Sequence, residues 1–278
     1  MNRKNLSTSI KQVKSKLPPD KSNVRLKWKG NSEFKTKNFT FSCSLVDYSG
    51  VTNGQSVTLL KDRGFIESYL EFLAELKPKR VFELGFFQGG MPLFLSEVCK
   101  LEKVIAIDWH PPTPELLNLV TRHKLQKKLE FVGGVDQLDA TRVKSIAKTG
   151  FNGKPIDLII DDCSHYYENT KGCFEQLFGM LRPGGAYVIE DWGWTHWPSE
   201  PWNTSKSHFH GMPSMTNLMF KIIMAFGSTQ GIIERIEFPS IYTMVIYRGK
   251  NLPHGEPFVL EKHIKVHGNR IARLITES

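Results

Sequence analysis

The chain has 278 residues, 40% of them hydrophobic, with 37 basic and 28 acidic side chains and a formal charge of +9. That is ample material for a buried core and suits one large domain or two small ones. No apolar run approaches the roughly 20 residues that would span a bilayer, and the start lacks the apolar stretch of a secretory signal, sharing with transit peptides only a basic, serine-containing, acid-poor composition.

Eleven of the basic residues and two of the acids fall in residues 1–37, so the remainder is balanced at 26 against 26. The excess charge therefore belongs to an arm, read as solvated and flexible, and not to a basic body that would bind nucleic acid. The arm is followed by an entry segment with a helix (38–79), an α/β domain (80–250) and a tail (251–278). Cys43, Cys99, Cys163 and Cys173 form no CxxC pair, which points to free thiols in a reducing, cytoplasmic compartment.

In chain order, "GFIESYLEFLAELKP" predicts a helix closed by Pro78. "RVFELG" (80–85) is a short strand, followed by the loop "FFQGG" and a helix over "MPLFLSEVCK". "KVIAID" (103–108) is a second strand, "TPELLNLVTRHK" a helix and "LEFVGG" (129–134) a third strand. "DQLDATRVKSIAKTG" predicts a helix and "PIDLIID" (155–161) strand four. "YENTKGCFEQLFGML" is a helix stopped by "RPGG", and "AYVIED" (186–191) is strand five. "IIERIEFPS" and "IYTMVIYRG" read as two more strands joined by a short turn. Strands alternating with helices at this spacing predict a Rossmann-like, doubly wound, mostly parallel sheet with an antiparallel strand near the C-terminus. Such a sheet binds ligands beyond the carboxyl ends of its strands.

The polar residues that stand out lie at those ends. "ELGFFQGG" follows the first strand with glycines spaced for a tight turn and close backbone approach, but it lacks GxGxxG. Glu83 would repel a pyrophosphate there and suits a cofactor that is cationic at this end. Asp108, ending the second strand, stands where a ribose-binding acid is expected. The plain alternative is a glycine turn with two surface acids. "LIIDDCSHYYEN" (158–169) and "YVIEDW" (187–192) each finish an apolar run in acids, one with a histidine. If the two strands are neighbours, the carboxylates converge, which is costly unless a cation or protons neutralise them.

Taken together, "VFELGFFQGG", "VIAID", "LIIDDCSH" and "LRPGGAYVIEDW" resemble the class I S-adenosylmethionine-dependent methyltransferases over about residues 60–250. D-D-x-S-H followed by P-G-G-x-Y-x-I-E-D is similar to a branch holding metal-dependent macrolide-sugar O-methyltransferases and cephalosporin-hydroxylase-like proteins. The resemblance implies that Glu83, Gly85 and Gly89 surround the methionine and ribose part of the cofactor, that Asp108 holds the ribose hydroxyls and that Asp136 lies near the adenine. A helix N-cap is the other reading of Asp136. The lysine-and-tyrosine segment that often precedes the first strand of the macrolide enzymes is not recognisable.

Asp162, Glu190 and Asp191 are hard oxygen ligands of the kind Mg²⁺ accepts, with Mn²⁺ or Ca²⁺ as alternatives. Asp162 is chosen over Asp161 because the family pattern puts the ligand three residues before the histidine; Asp161 faces away or supports the loop. His165 is then placed as the base that deprotonates an acceptor hydroxyl. The competing view makes the acids solvated and His165 a capping or core histidine. Trp192, Trp194, Trp197 and Trp202 either line a sugar site or pack beneath the loop; Thr195, His196 and Trp197 match the branch's acceptor-side segment. The expected activity is O-methylation of a hydroxyl on a sugar or glycosylated small molecule. The other readings are a nucleic-acid methyltransferase using the arm and a non-catalytic cofactor-binding partner protein. A nicotinamide dehydrogenase is disfavoured by Glu83, and a homo-oligomer stays open.

Overall fold

A computed structural model describes residues 26–45, 52–54, 56–198 and 202–266. The chain enters through a four-stranded sheet of β1 (Lys27–Lys29), β2 (Glu33–Lys35), β3 (Thr40–Cys43) and β4 (Ser56–Leu59), antiparallel except for the β3–β4 pair. In β1 and β2 the lysines point to solvent and the aromatics inward, the period-two pattern of a half-buried strand. Phe34 is fully buried and stacks on Phe41 at 4.7 Å between ring centroids. The expected flexible arm is thereby corrected for residues 27–35: Lys-Trp-Lys and Glu-Phe-Lys alternate, and burying Phe34 outweighs the local charge. The earlier part of the arm, residues 1–25, lies outside the described residues.

Helix α1 (Arg63–Leu76) starts at the Asp62 cap, whose carboxylate accepts from Phe65 N at 2.7 Å, and ends with Lys77 in the left-handed region before Pro78. After it comes the predicted alternation: β5 (Arg80–Leu84), α2 (Gly90–Val98), β6 (Lys103–Ile107), α3 (Pro114–Arg122), β7 (Leu129–Val132), α4 (Ala140–Gly150), β8 (Ile156–Asp161), α5 (Tyr167–Leu177) and β9 (Leu181–Glu190). Helix α6 (Met215–Ser228), absent from the sequence reading, precedes the hairpin of β10 (Ile233–Ser240) and β11 (Thr243–Arg248).

The main sheet has the order β10-β11-β9-β8-β5-β6-β7, with β5 to β9 parallel and β11 antiparallel to both neighbours. After β7 the chain returns to the other side of β5, which makes the carboxyl ends of β5 and β8 the topological switch point. Helices α1 to α3 pack on one face of the sheet and α4 to α6 on the other. Leu252, Phe258 and Leu260 are buried in the second core, so part of the expected C-terminal tail belongs to the folded body. Phe258 packs on Phe178 at 5.4 Å, apolar burial that composition alone did not assign. All four cysteines are free thiols. Among the described residues no helix is long and apolar enough to cross a membrane.

Candidate active site

Strand parity decides which acids meet. Glu83 is registered with Ile160, and Ile160 with Val188. Side chains two apart share a face, so Glu83, Asp162 and Glu190 all project toward α1, while Asp161 projects to the opposite side. There Asp161 accepts from Gln137 Nε2 at 2.6 Å and the Tyr187 hydroxyl at 2.9 Å. Gln137 in turn accepts from the Ser164 hydroxyl and N–H, so Asp161 supports the loop carrying His165. Burial pushes the Asp161 carboxyl up to about 7, against the two hydrogen bonds.

A cavity of about 470 Å³ opens at the switch point, lined among others by Glu83, Gly85, Asp108, Asp136, Asp162, His165, Glu190 and Asp191. Glu83 is buried, and its Oε2 has no hydrogen-bond partner. Burial drives its carboxyl well above the ordinary range, with Lys61 opposing and neighbouring acids reinforcing the shift. Gly85 has φ +90°, and a Cβ there would stand 2.1 Å from the Asp162 carbonyl oxygen, so only glycine lets the two strand ends meet. Gly89 does not line the cavity; it caps α2 at φ +79°, and a Cβ would strike Leu116 at 2.4 Å. Asp108 is held by Phe87 N at 2.8 Å and His110 N at 2.9 Å. Asp136 accepts from Leu138 N in a turn, and the cap of α4 is Asp139, not Asp136.

Asp162, His165 and Asp191 each present a ligand atom to one another within 4.8 Å. His165 Nε2 lies 3.9 Å from oxygens of both aspartates. Glu190, grouped with these acids in the sequence reading, turns elsewhere: Oε1 accepts from the Tyr69 hydroxyl at 2.5 Å and Oε2 meets Lys61 Nζ at 2.5 Å. Lys61 also reaches Asp162 Oδ2 at 2.9 Å. Burial, then Asp162, pushes Glu190 up to about 8 and Asp191 up to about 7. Asp162 resists its own burial because Lys61 and His165 hold it below the ordinary range. Burial lowers the His165 imidazole, with Asp162 opposing.

Both His165 (φ +54°) and Asp191 (φ +50°) adopt left-handed backbone, which costs a non-glycine residue about 1–3 kcal/mol and persists only when surroundings enforce it. The enforcement is visible. Buried Trp194 donates from Nε1 to the His165 carbonyl at 3.0 Å, and Asp191 N donates to the Tyr242 carbonyl at 2.7 Å. The tryptophans divide their labour: Trp194 packs beneath the loop against Phe209, while Trp202 lines the cavity with its ring 5.7 Å from that of His165. His196 bonds Thr216 at 2.7 Å, and Asn203 Nδ2 donates to the carbonyls of Trp194, Thr195 and Trp197, tying this segment down.

Lys61 and Tyr69 were missed from sequence. They lie just before the first strand of the main sheet, the stretch where no lysine-and-tyrosine segment was recognised. The available signal was local: Phe65 and Tyr69 are four apart on one face of α1, and Lys61 stands immediately before the Asp62 cap. Lys61 Nζ sits 4.9 Å from the Phe65 ring.

Residues 82–192 match the family profile described as a methyltransferase domain. That match spans 111 of the 278 residues, about 40% of the chain. Its similar relatives include demethylmacrocin O-methyltransferase of Streptomyces fradiae, 50% identical over 44 residues, which are 16% of this chain and 11% of that protein. Mycinamicin VI 2''-O-methyltransferase of Micromonospora griseorubida is 43% identical over 63 residues, 23% of this chain and 15% of the relative. The chain thus matches less than a sixth of the length of these relatives. In three dimensions the chain is similar to the MycE methyltransferase of mycinamycin biosynthesis in complex with Mg and S-adenosylhomocysteine. That likeness has a TM-score of 0.50 and 21% identity over 69% of this chain and 50% of the other, and it supports the fold.

Proposed function

We propose that this protein is a metal-dependent O-methyltransferase that uses S-adenosylmethionine to methylate a hydroxyl of a sugar or glycosylated small molecule. The observation that carries this reading is the meeting in one cavity of Glu83, a buried acid with an unpartnered oxygen, and the Asp162–His165–Asp191 group. The relatives' names, which specify O-methylation of demethylmacrocin and of mycinamicin VI, support the acceptor class.

Glu83 suits a cationic ligand, because a positive charge would relieve the cost of ionising it under burial. Asp108 is oriented by two backbone N–H groups and retains lone pairs for ribose hydroxyls. Asp162 and Asp191 fit a divalent ion, Mg²⁺ in this reading, since such sites commonly use one or two carboxylates. When bound, the ion would lower the pKa of the acceptor hydroxyl. His165, kept neutral by burial, has an imidazole able to take the hydroxyl proton while the acceptor oxygen attacks the sulfonium methyl in line. The O–CH₃ bond forms, the S–CH₃ bond breaks, and the proton passes to Nε2, where Asp162 and Asp191 stabilise the imidazolium.

The test is mass-spectrometric detection of a product one CH₂ heavier from a glycoside panel, with and without EDTA. Methylated product that disappears on chelation is expected. Undiminished transfer in EDTA would refute the metal role, and failure to bind S-adenosylhomocysteine would refute the donor.

A further inference from the structure

The loop that carries His165 is fastened by a side chain from another part of the cavity wall. Gln137 belongs to the stretch after β7, residues 135–137, that lines the cavity, and it is 3% exposed. Its Oε1 accepts from the Ser164 hydroxyl at 2.5 Å and from Ser164 N at 3.1 Å, while its Nε2 donates to Asp161 Oδ1 at 2.6 Å. A backbone N–H needs an oxygen to accept it, so the amide has one orientation that satisfies every partner. The Gln137 carbonyl also accepts from the Cys173 thiol at 3.3 Å, and the Ser164 hydroxyl accepts from Tyr166 N at 3.4 Å. Ser164 and Tyr166 flank His165, whose left-handed backbone (φ +54°) persists only where its surroundings enforce it. Trp194 holds the His165 carbonyl, and Gln137 holds the residue before it.

We infer that Gln137 is a positioning residue that latches the His165 loop to the cavity wall formed after β7. The inference rests on the proposed role of His165 as the base. A buried amide engaged at both ends cannot turn without leaving Asp161 or Ser164 unpaired, and that cost keeps it in place. Backbone hydrogen bonds join the same wall to the end of β6, from Gly134 N to the Trp109 carbonyl at 3.2 Å and from Val135 N to the Asp108 carbonyl at 3.0 Å. Asp108, which faces the donor in the proposed reading, and the loop of the base are therefore linked through one short segment, residues 134–137. The Gln137 amide is committed to protein partners, so it acts through His165 and not on a reactant. A reacting group about 1 Å out of place can cost about 10²-fold in rate, which is the scale on which such a latch matters.

Gln137→Met keeps the length of the side chain and removes its hydrogen bonds, whereas Ser164→Ala removes the hydroxyl and keeps the N–H. In the full chain, Gln137→Met should speed hydrogen exchange of the peptide spanning residues 162–167 about tenfold or more, with peptides from β5 and β6 unchanged. S-adenosylhomocysteine affinity by calorimetry should stay within about threefold of wild type. With an acceptor found in the glycoside panel, Gln137→Met should lower kcat about 10- to 100-fold while the acceptor KM stays within about threefold, the pattern of an arrangement needed only in the transition state. Ser164→Ala should lose less, and the double variant should be no slower than Gln137→Met, because both changes act through one contact. Unchanged exchange or unchanged kcat in folded Gln137→Met would overturn the inference. So would additive losses in the double variant, or a fall in S-adenosylhomocysteine affinity as large as the fall in kcat. Should Gln137→Met fail to fold, Ser164→Ala decides, and wild-type exchange and kcat in that variant would overturn the inference. Wild-type protein that methylates nothing in the panel would count against the proposed function, while the exchange measurement would still decide whether Gln137 holds the loop.

Discussion

Replacing Asp161 by asparagine removes one carboxyl from beneath the loop while keeping its shape. In the folded protein Asp161 is 2% exposed, and burial raises it from 3.8 to about 7. Between those pH values the unfolded chain has released this proton and the folded chain still holds it. The folded state then binds more protons, so stability falls as pH rises through the window and levels off once both states are ionised. A shift of about three units at about 1.4 kcal/mol each corresponds to a loss of about 4 kcal/mol from this one group. The amide of the variant does not titrate, so the stability difference between wild type and Asp161→Asn should change by about that amount between pH 4 and pH 7, in favour of the variant. Urea denaturation of the metal-free proteins, followed by circular dichroism across a pH series, measures it. Glu190 and Asp191 titrate in both proteins, so their contributions cancel in the difference. Parallel stability profiles for the two proteins would refute the reasoning.

Phe34→Ala should destabilise the protein by about 3–5 kcal/mol, because a fully buried aromatic between Phe41 and Phe94 is lost; thermal or urea unfolding would show it. Glu83→Ala and Asp108→Ala should each weaken S-adenosylhomocysteine binding about ten- to a hundredfold by calorimetry, the worth of a charge-assisted hydrogen bond. His165→Ala should lower turnover about 10²–10⁴-fold while cofactor affinity stays near wild type, with the deficit shrinking at high pH where hydroxide substitutes for the base.

The alternation of apolar runs, glycine turns and helical stripes along residues 64–191 was enough to place strands β5 to β9 and the helices between them, because those signals are local and repeat at fixed periods. The same logic put Glu83, Asp108, Asp162, Glu190 and Asp191 at strand ends, and the ends of neighbouring parallel strands must lie together. Local pattern was weaker where composition misled. The lysines around Trp28 and Phe34 hid two strands in what read as an arm, and the Ser214 cap that opens the apolar helix α6 was passed over.

What the acids do once they converge was decided only by tertiary packing. Lys61 lies 101 residues from Asp162 and 129 from Glu190 along the chain, and only the docking of α1 and the turn before it over the ends of β8 and β9 brings its ammonium between them. Strand parity then sends Asp161 to the opposite face, toward Gln137 and Tyr187, although its neighbour Asp162 faces the cavity. A strand's own sequence determines which side chains share a face, because that alternation is built into the backbone. Which distant charge neutralises them is set by the elements packed on that face, and no local period encodes it.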